Sequence, residues 1–256
     1  MPSINWTIDY KPKSFSRAEF VLPEKDRKIF EEYAKGKRAS HLLLTGDVGT
    51  GKTTAGHVLR KKAQSEYFIE CAAYKQDKHW VENGYCWRQI FSSSLLLFTP
   101  AEKKSRPIKS FMLLDEVDEL NTPNMLIGIL DKAQEHGIIL CMTSNFPNKI
   151  QEKIHSRCHR IHFGSGHYTW DNYSDDNPPG SRDDINAQLA DLIMKITKKE
   201  APKTDWNFPN QSFLKKEIIR KQTNLDIRKI LITTQSYVHD GKFEPSEDEL
   251  KQCQGS

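Results

Sequence analysis

Residues 46–53 read Gly-Asp-Val-Gly-Thr-Gly-Lys-Thr and match the phosphate-binding pattern G-x-x-x-x-G-K-[ST]. Glycines in such a loop let backbone N–H groups turn towards a phosphate, and the N-terminus of a following helix adds partial positive charge. Lys52 would reach the β and γ phosphates, and the Thr53 hydroxyl would bind Mg²⁺. The predicted nucleotide-binding residues of the loop are Gly46, Val48, Gly49, Thr50, Gly51, Lys52, Thr53 and Thr54.

Two acids follow an apolar run in the sequence Phe-Met-Leu-Leu-Asp-Glu at residues 111–116. Asp115 is predicted to emerge at the carboxyl end of a buried strand and to hold Mg²⁺, directly or through water. Glu116 is predicted to polarise an attacking water, which favours hydrolysis over transfer to a small acceptor. Asn145 ends a third apolar segment and is predicted to hydrogen-bond the γ-phosphate or the lytic water. Together these residues indicate ATP hydrolysis.

These side chains need a scaffold, and the sequence predicts one of alternating strands and helices. Strands are expected at 41–45, 67–73, 110–120, 138–145 and 160–163, and helices at 24–36, 52–64, 121–137 and 148–156. The helix over 121–137 has Pro123 at its start and Gly137 at its end, which are the preferred places for these residues. Such alternation predicts a parallel sheet with both faces covered by helices.

The composition changes after residue 163. Residues 164–181 are rich in Gly, Ser, Asp and Pro and are predicted to form a linker or surface loop. Beyond them only helical patterns are found, so we expect an α/β domain over 1–167 and a small helical domain over 168–256. Residues 1–24 are expected to be extended and irregular.

The overall composition is that of a folded globular protein. Of the 256 residues 28% are charged and 37% hydrophobic, and no apolar run approaches the ~20 residues that span a membrane. The five scattered cysteines and the absence of a signal-peptide pattern predict reduced thiols and a cytoplasmic protein. The cluster of Cys158, His159 and His162 lacks the spacing of a zinc site. A net charge of +4 permits nucleic-acid binding without arguing for it.

The sequence Ser156-Arg157-Cys158 lies shortly after the third apolar strand and resembles the Ser-Arg-Cys box of clamp-loader ATPase subunits, a branch of the AAA+ superfamily. "YKPKSF" at 10–15 looks like the Tyr-Arg-Pro-x-x-Phe entry of these subunits. Residues 20–44 are similar to the small clamp-loader subunits of T4-like phages, and "NLDIRKIL" at 224–231 resembles their lid-helix motif. The resemblance covers roughly residues 9–240 and extends to the replication factor C type.

This resemblance implies a P-loop AAA+ sheet domain followed by a helical lid. It implies that Arg157 is an arginine finger that reaches the ATP of a neighbouring subunit, where a guanidinium stabilises transition-state charge. It implies that Arg228 senses the same phosphate from the lid of its own subunit. Val21 and Leu22 would line the adenine pocket.

The resemblance also implies DNA inside a spiral of subunits. Lys75 aligns with a basic residue that couples DNA to the catalytic glutamate, and Lys78 and Arg88 are candidates for contacts with the phosphate backbone. The sequence Ala-Ala-Tyr-Lys before position 76 departs from the usual Asn-x-Ser-Asp. The chain also ends after the lid, where these subunits continue into a collar domain, so we expect a truncated subunit or a two-domain relative.

The sequence therefore predicts a subunit of phage or viral origin that loads a sliding clamp on primer–template DNA and hydrolyses ATP at subunit interfaces. Its expected partners are other subunits, the clamp and DNA. One alternative is another AAA+ remodeller, such as a helicase loader. Another is a nucleotide-binding scaffold without hydrolysis, against which the acids, Asn145 and Arg157 argue. Glu116 and the helical lid disfavour a small-molecule kinase.

Overall fold

A computed structural model gives the secondary structure of most of the chain. It describes residues 5–64, 67–72, 110–120, 123–135, 137–164, 182–207, 209–220 and 225–254. The strands are β1 (His41–Gly46), β2 (Tyr67–Ala72), β3 (Ser110–Asp115), β4 (Ile138–Ser144), β5 (Cys158–Phe163), β6 (Val238–His239) and β7 (Lys242–Phe243). The α-helices are α1 (Trp6–Asp9), α2 (Glu24–Ala34), α3 (Lys52–Ala63), α4 (Pro123–Glu135), α5 (Glu152–His155), α6 (Arg182–Glu200), α7 (Asn210–Phe213), α8 (Ile227–Gln235) and α9 (Glu247–Gln254).

The chain divides into two compact units. The sheet unit consists of Lys25–Gly46 and Lys52–Phe163, and the helical unit consists of Met1–Glu24, Asp47–Gly51 and Gly164–Ser256. The predicted boundary between residues 167 and 168 lies outside the described residues and stays a prediction. Within the described parts of the chain, every helix is too short or too polar to cross a membrane.

In the sheet unit, the described strands β1 to β5 form one parallel sheet in the order β2-β3-β4-β1-β5. The parallel α/β sheet predicted from the sequence is confirmed. Leu42 of β1 pairs with Cys141 of β4, and Leu113 of β3 pairs with the same cysteine from the other side. The carboxyl ends of β3, β4 and β1 therefore lie side by side, and residues that follow these strands meet at one edge of the sheet.

Helix α4 packs against the sheet through an apolar face. Leu126, Ile129, Leu130 and Ala133 recur at helical spacing and are buried against residues of β3 and β4. Strands β1 and β4 are buried along their whole length, as expected for inner strands of a parallel sheet.

A buried histidine connects α4 to the two inner strands. His41 of β1 accepts a hydrogen bond from the Leu140 N–H at Nδ1 (3.1 Å), and its Nε2 lies 2.9 Å from the Leu130 carbonyl oxygen. Because Nδ1 accepts, the ring proton is on Nε2 and the imidazole is neutral. Burial lowers the pKa of His41 from its usual value, which also favours the neutral ring.

The helical unit includes a short N-terminal helix. Residues 1–24 were expected to be extended, and this expectation is wrong for α1, whose N-terminus is capped by the Asn5 side chain. Trp6 is buried in the apolar cluster of the helical unit, and its backbone N–H donates to Gln235 Oε1 at 3.2 Å. An indole of this size needs partners along several helices, which the helical unit provides.

Two further features of the helical unit differ from the sequence prediction. The helical pattern after residue 209 is α-helical only to Phe213 and continues as a π-helix over Leu214–Arg220. The expectation of helices alone is also wrong, because β6 and β7 form an antiparallel hairpin. Its turn is Asp240-Gly241, and both residues have positive φ (48° and 78°), the Asp-Gly signature of a two-residue hairpin turn.

Candidate functional site

The glycine loop follows β1 and precedes α3, as the motif requires. Gly46 has φ +133°, and a Cβ there would lie 1.8 Å from the Phe163 carbonyl oxygen, so only glycine fits. The Lys52 Nζ donates to the Gly46 carbonyl oxygen at 2.8 Å and is buried. The Thr50 hydroxyl donates to the Asp47 carbonyl oxygen at 2.8 Å. The loop is thus a tight turn with the lysine ammonium folded back over its first residue.

The loop is divided between the two units of the chain. Asp47–Gly51 group with the helical unit, whereas Gly46 and the residues from Lys52 onwards group with the sheet unit. Val48 is 55% exposed at the tip, while Thr53 and Thr54 on α3 are partly buried.

Asp115 joins the glycine-loop helix to the acidic strand. Its Oδ1 accepts a hydrogen bond from the Thr53 hydroxyl at 2.8 Å and another from the Thr143 hydroxyl at 2.6 Å. Thr53 is the second residue of α3, Asp115 ends β3, and Thr143 lies near the end of β4. The structure therefore brings together the two residues that the sequence predicted as Mg²⁺ ligands.

The chemistry of these donors fits Mg²⁺. A carboxylate and a hydroxyl are hard oxygen ligands, and Mg²⁺ usually takes one or two protein oxygens and completes its shell with water and substrate phosphates. Among the described residues, no group of three or more His, Cys, Asp or Glu residues could hold a metal ion. Thr53 and Asp115 supply the kind of oxygen ligands that Mg²⁺ would take beside a bound phosphate.

Glu116 follows Asp115 in an uncommon backbone conformation. It has φ 58° and ψ 52°, in the left-handed region that residues other than glycine rarely adopt. Its N–H donates to the Thr143 hydroxyl oxygen at 3.0 Å. The chain then enters a 3₁₀ turn at Val117–Glu119, so the acid stands at a sharp corner directly after the strand.

Asn145 is held through its backbone. The Asn145 N–H donates to Asp118 Oδ1 at 3.1 Å. Asp118 lies two residues after Glu116, and Asn145 comes directly after β4. Asp118 thus fixes the backbone of Asn145. Since β3 and β4 are neighbours, Asn145 and Glu116 follow adjacent strand ends.

Arg157 lies on the surface of the sheet unit, between α5 and β5. Its Nε and Nη2 donate to the two carboxylate oxygens of Asp131 on α4, at 2.7 and 3.3 Å, and its Nη1 donates to the Lys153 carbonyl oxygen at 2.8 Å. The hydrogen bonds raise the pKa of Arg157 and lower that of Asp131. Asp131 and Lys153 both lie on the surface of the sheet unit, and neither of them is Asp115 or Glu116.

The residues predicted for the lid and for the adenine pocket lie in the helical unit. Arg228 is exposed on α8. Asp226 caps α8, because its Oδ1 accepts a hydrogen bond from the Lys229 N–H at 3.0 Å. The Asp226 carboxylate also lies against the glycine loop, since a Cβ on Gly49 would be 1.9 Å from Oδ1. Val21 and Leu22 are buried, and Val21 packs in the apolar cluster of this unit. Their predicted contacts with adenine stay a prediction.

Sequence reasoning missed three residues of this region and placed three others where the structure does not test them. Thr143 and Asp131 carry no motif signal in the sequence. Asp226 was passed over beside Arg228. Lys75, Lys78 and Arg88 lie outside the described residues.

Known proteins were compared with this chain. Residues 42–165 match the ATPase family associated with various cellular activities (AAA), over the glycine loop, the acidic strand and the Ser-Arg-Cys sequence. Over this segment, the chain is similar to the AAA family of ATPases.

Curated relatives of the chain include subunits of replication factor C. The chain is 27% identical over 158 residues to the replication factor C small subunit of Staphylothermus marinus, covering 60% of this chain and 45% of the relative. It is 37% identical over 166 residues to small subunit 2 of Pyrobaculum arsenaticum, covering 64% and 49%. The chain spans about half the length of these relatives. The resemblance to clamp-loader small subunits is confirmed.

Solved structures support the fold of this chain. The AMPPCP-bound DnaA from Aquifex aeolicus aligns with a TM-score of 0.58 at 15% identity, covering 93% of this chain and 69% of that one. The RuvB Holliday junction branch migration motor of Thermotoga maritima aligns with a TM-score of 0.57 at 15% identity, covering 96% and 72%. At this level of identity the likeness concerns the fold alone.

Proposed function

We propose that this chain hydrolyses ATP as an AAA-type subunit of a clamp-loader assembly in DNA replication. The observation that carries the ATPase part is the 2.8 Å hydrogen bond from the Thr53 hydroxyl to Asp115, which joins the phosphate loop to the acidic strand. The replication factor C relatives support the clamp-loader part.

In this proposal each residue has one task. Lys52 exchanges its bond with the Gly46 carbonyl for the β and γ phosphates of ATP. Thr53 and Asp115 hold Mg²⁺, which when bound neutralises charge on the phosphate oxygens. Glu116, at its left-handed corner, accepts a proton from the attacking water and orients it. Asn145, fixed by Asp118, donates its side-chain amide to the γ-phosphate or to that water.

The assembly-level roles extend this proposal. Arg157 is proposed to leave its pairing with Asp131 and bond the γ-phosphate of a neighbouring subunit's ATP, because guanidinium forks match phosphate as well as carboxylate geometry. The other subunits, a sliding clamp and primer–template DNA are the proposed partners. The roles of Val21, Leu22 and Arg228, a phage or viral origin and a cytoplasmic location stay predictions.

ATP turnover by the purified chain tests the ATPase part. Hydrolysis is measured with Mg²⁺, alone and with primer–template DNA, for the wild type and for Lys52→Ala. Turnover by the wild type that Lys52→Ala abolishes is the expected result. Equal turnover by both proteins would assign the activity to a contaminant and remove the proposed site.

Capture of a sliding clamp tests the clamp-loader part. The clamp encoded in the same genome is expected to be retained by the immobilised chain with ATP and released without it. An active ATPase that never retains the clamp would favour the other AAA+ remodellers, such as helicase loaders, whose catalytic residues are the same.

A further inference from the structure

Thr143 connects the two acids of the site through one hydroxyl group. The residue lies on β4 and is only 2% exposed. Its Oγ1 donates to Asp115 Oδ1 at 2.6 Å and accepts the N–H of Glu116 at 3.0 Å. A threonine hydroxyl has one proton and two lone pairs, so both bonds form at once.

The backbone of Glu116 needs such a partner. A residue other than glycine in the left-handed region destabilises the fold by about 1–3 kcal/mol, and it stays in that conformation only where the surrounding structure holds it there. The hydrogen bond from the Glu116 N–H to the Thr143 hydroxyl oxygen anchors that conformation. A change of the Glu116 φ angle would swing its carboxylate away from the end of β3.

The carboxylate of Asp115 receives two hydroxyl donors, from Thr53 and Thr143. Thr53 is itself a proposed Mg²⁺ ligand. Thr143 is therefore the donor that orients Asp115 without a ligand role of its own. Groups that hydrogen-bond a metal-binding carboxylate typically cost about 10- to 100-fold in metal affinity or activity when they are removed.

We propose that Thr143 is a positioning residue that fixes the Asp115 carboxylate and the Glu116 backbone at the same time. This inference rests on the proposed ATPase function. It adds a residue of β4 to the site residues that follow β1 and β3. Since β4 pairs with β3 and both acids stand at the end of β3, a single side chain on β4 reaches both acids and sets their relative orientation.

Two substitutions separate the hydroxyl from the volume of the side chain. Thr143→Val keeps the shape and removes the hydroxyl, while Thr143→Ser keeps the hydroxyl. The matched control is Thr197→Val, because Thr197 is also fully buried and its hydroxyl bonds only the Ile193 carbonyl oxygen of its own helix (2.7 Å).

Each variant is characterised by three measurements. Calorimetric titration gives the ATP dissociation constant in EDTA and in Mg²⁺, and their ratio is the gain from the metal. Steady-state turnover gives kcat and KM. Amide hydrogen exchange reports the protection of the Glu116 N–H, which needs neither nucleotide nor turnover.

For Thr143→Val we expect ATP affinity in EDTA within about twofold of wild type, since the described hydrogen bonds of the Thr143 side chain reach only the two acids. We expect the gain from Mg²⁺ and kcat each to fall by about tenfold or more, and Glu116 to lose amide protection. Thr143→Ser and Thr197→Val should stay within about threefold of wild type in every measurement. Should Thr143→Val not fold, Thr143→Cys replaces it, since a thiol is a weak donor of similar size.

Two results would overturn the inference. One is a Thr143→Val protein with wild-type kcat, Mg²⁺ gain and Glu116 protection. The other is a Thr143→Ser protein impaired as much as Thr143→Val, which would assign the effect to packing. If the wild type itself does not hydrolyse ATP, the proposed function is wrong, and the exchange of the Glu116 N–H still decides whether Thr143 holds that backbone.

Discussion

Arg157 and Asp131 form a bidentate ion pair on the surface of the sheet unit, with Nε–Oδ1 and Nη2–Oδ2 distances of 2.7 and 3.3 Å. Their side chains are 34% and 54% exposed, so the pair contributes little to the stability of the fold. A well-formed but weakly stabilising pair keeps the guanidinium extended and oriented at the surface. The role proposed for Arg157 on a neighbouring subunit requires the guanidinium to leave this pair.

Arg157→Ala is therefore predicted to lose ATP hydrolysis while it keeps ATP binding and its unfolding midpoint in urea. Arg157→Lys should also fail, because an ammonium cannot bond two oxygens as a planar fork does. Arg38→Ala is the matched control, since Arg38 forms a similarly exposed pair with Glu32 (2.6 Å) in the same unit. Steady-state turnover and calorimetry provide the comparison.

Mixing two inactive proteins tests whether Arg157 acts between subunits. Arg157→Ala keeps an intact ATP site and Lys52→Ala keeps an intact Arg157, so a mixture is expected to regain part of the wild-type turnover. Sedimentation with ATP establishes that the subunits assemble. No recovery in a demonstrated mixed oligomer would show that Arg157 does not act on a neighbour's nucleotide.

Glu116→Gln is predicted to separate binding from hydrolysis. The amide keeps the shape of the side chain and loses the base, so ATP should bind normally and turn over at least about tenfold more slowly, a barrier rise of about 1.4 kcal/mol or more. Lys52→Ala should instead lose the binding itself in a calorimetric titration. A Glu116→Gln protein with wild-type turnover would place the lytic role on another residue.

Sequence patterns predicted the parts of the site that lie within single segments. The glycine loop, Asp115 and the ends of the strands follow from local motifs and from the apolar runs before them. The bonds that join these segments did not follow, since Thr143 and Asp131 are ordinary residues until the order of the strands and the packing of α4 bring them to their partners. Sheet order depends on contacts far apart in the sequence, which periodicity does not report.

Local signals were also lost when a stronger pattern surrounded them. The Asp240-Gly241 turn was overlooked because helical periodicity precedes and follows it, although both residues are typical of a hairpin turn. Helix α1 is only four residues long and depends on the burial of Trp6 in the helical unit. A helix of this length has no stability of its own in water, so sequence periodicity could not predict it.

Two glycine substitutions should have opposite effects on stability. Gly46→Ala forces a Cβ to within 1.8 Å of the Phe163 carbonyl oxygen at φ +133°, and should lower the free energy of unfolding by about 2 kcal/mol or more. Gly128→Ala lies in α4 with no atom within 4 Å of the new methyl group, and should raise that free energy by about 0.5–1 kcal/mol. Urea unfolding measures both, and a Gly46→Ala protein as stable as wild type would contradict the observed loop.

DNA is predicted to stimulate hydrolysis, with Lys75 coupling it to Glu116. Lys75→Ala should weaken DNA binding slightly, as the loss of one salt-sensitive phosphate contact would. At saturating primer–template it should also change the ratio of stimulated to basal turnover. Equal ratios for wild type and variant would leave Lys75 as a backbone contact or a surface charge, and a wild type that DNA never stimulates would favour the other AAA+ remodellers.

The neutral imidazole of His41 should make the sheet unit less stable in mild acid. Its pKa is lowered in the fold, chiefly by burial, whereas the unfolded chain has the usual value of about 6.5. Above that pH both states are neutral and the histidine adds no pH dependence. As the pH falls below it, only the unfolded chain takes up the proton, so the free energy of unfolding drops by up to about 1.4 kcal/mol per pH unit until the folded pKa is reached.

His41→Gln isolates this effect, because an amide can accept from the Leu140 N–H and donate to the Leu130 carbonyl without titrating. Burial also lowers the pKa values of His155 and His159, and it raises that of Asp26 to about 6, but these groups are present in both proteins and cancel in the difference. Between pH 7.5 and 5.5, urea unfolding of the wild type should show the steeper loss of stability. Parallel pH profiles would mean that His41 is protonated in the folded protein as readily as in the unfolded chain, which its bond from the Leu140 N–H opposes.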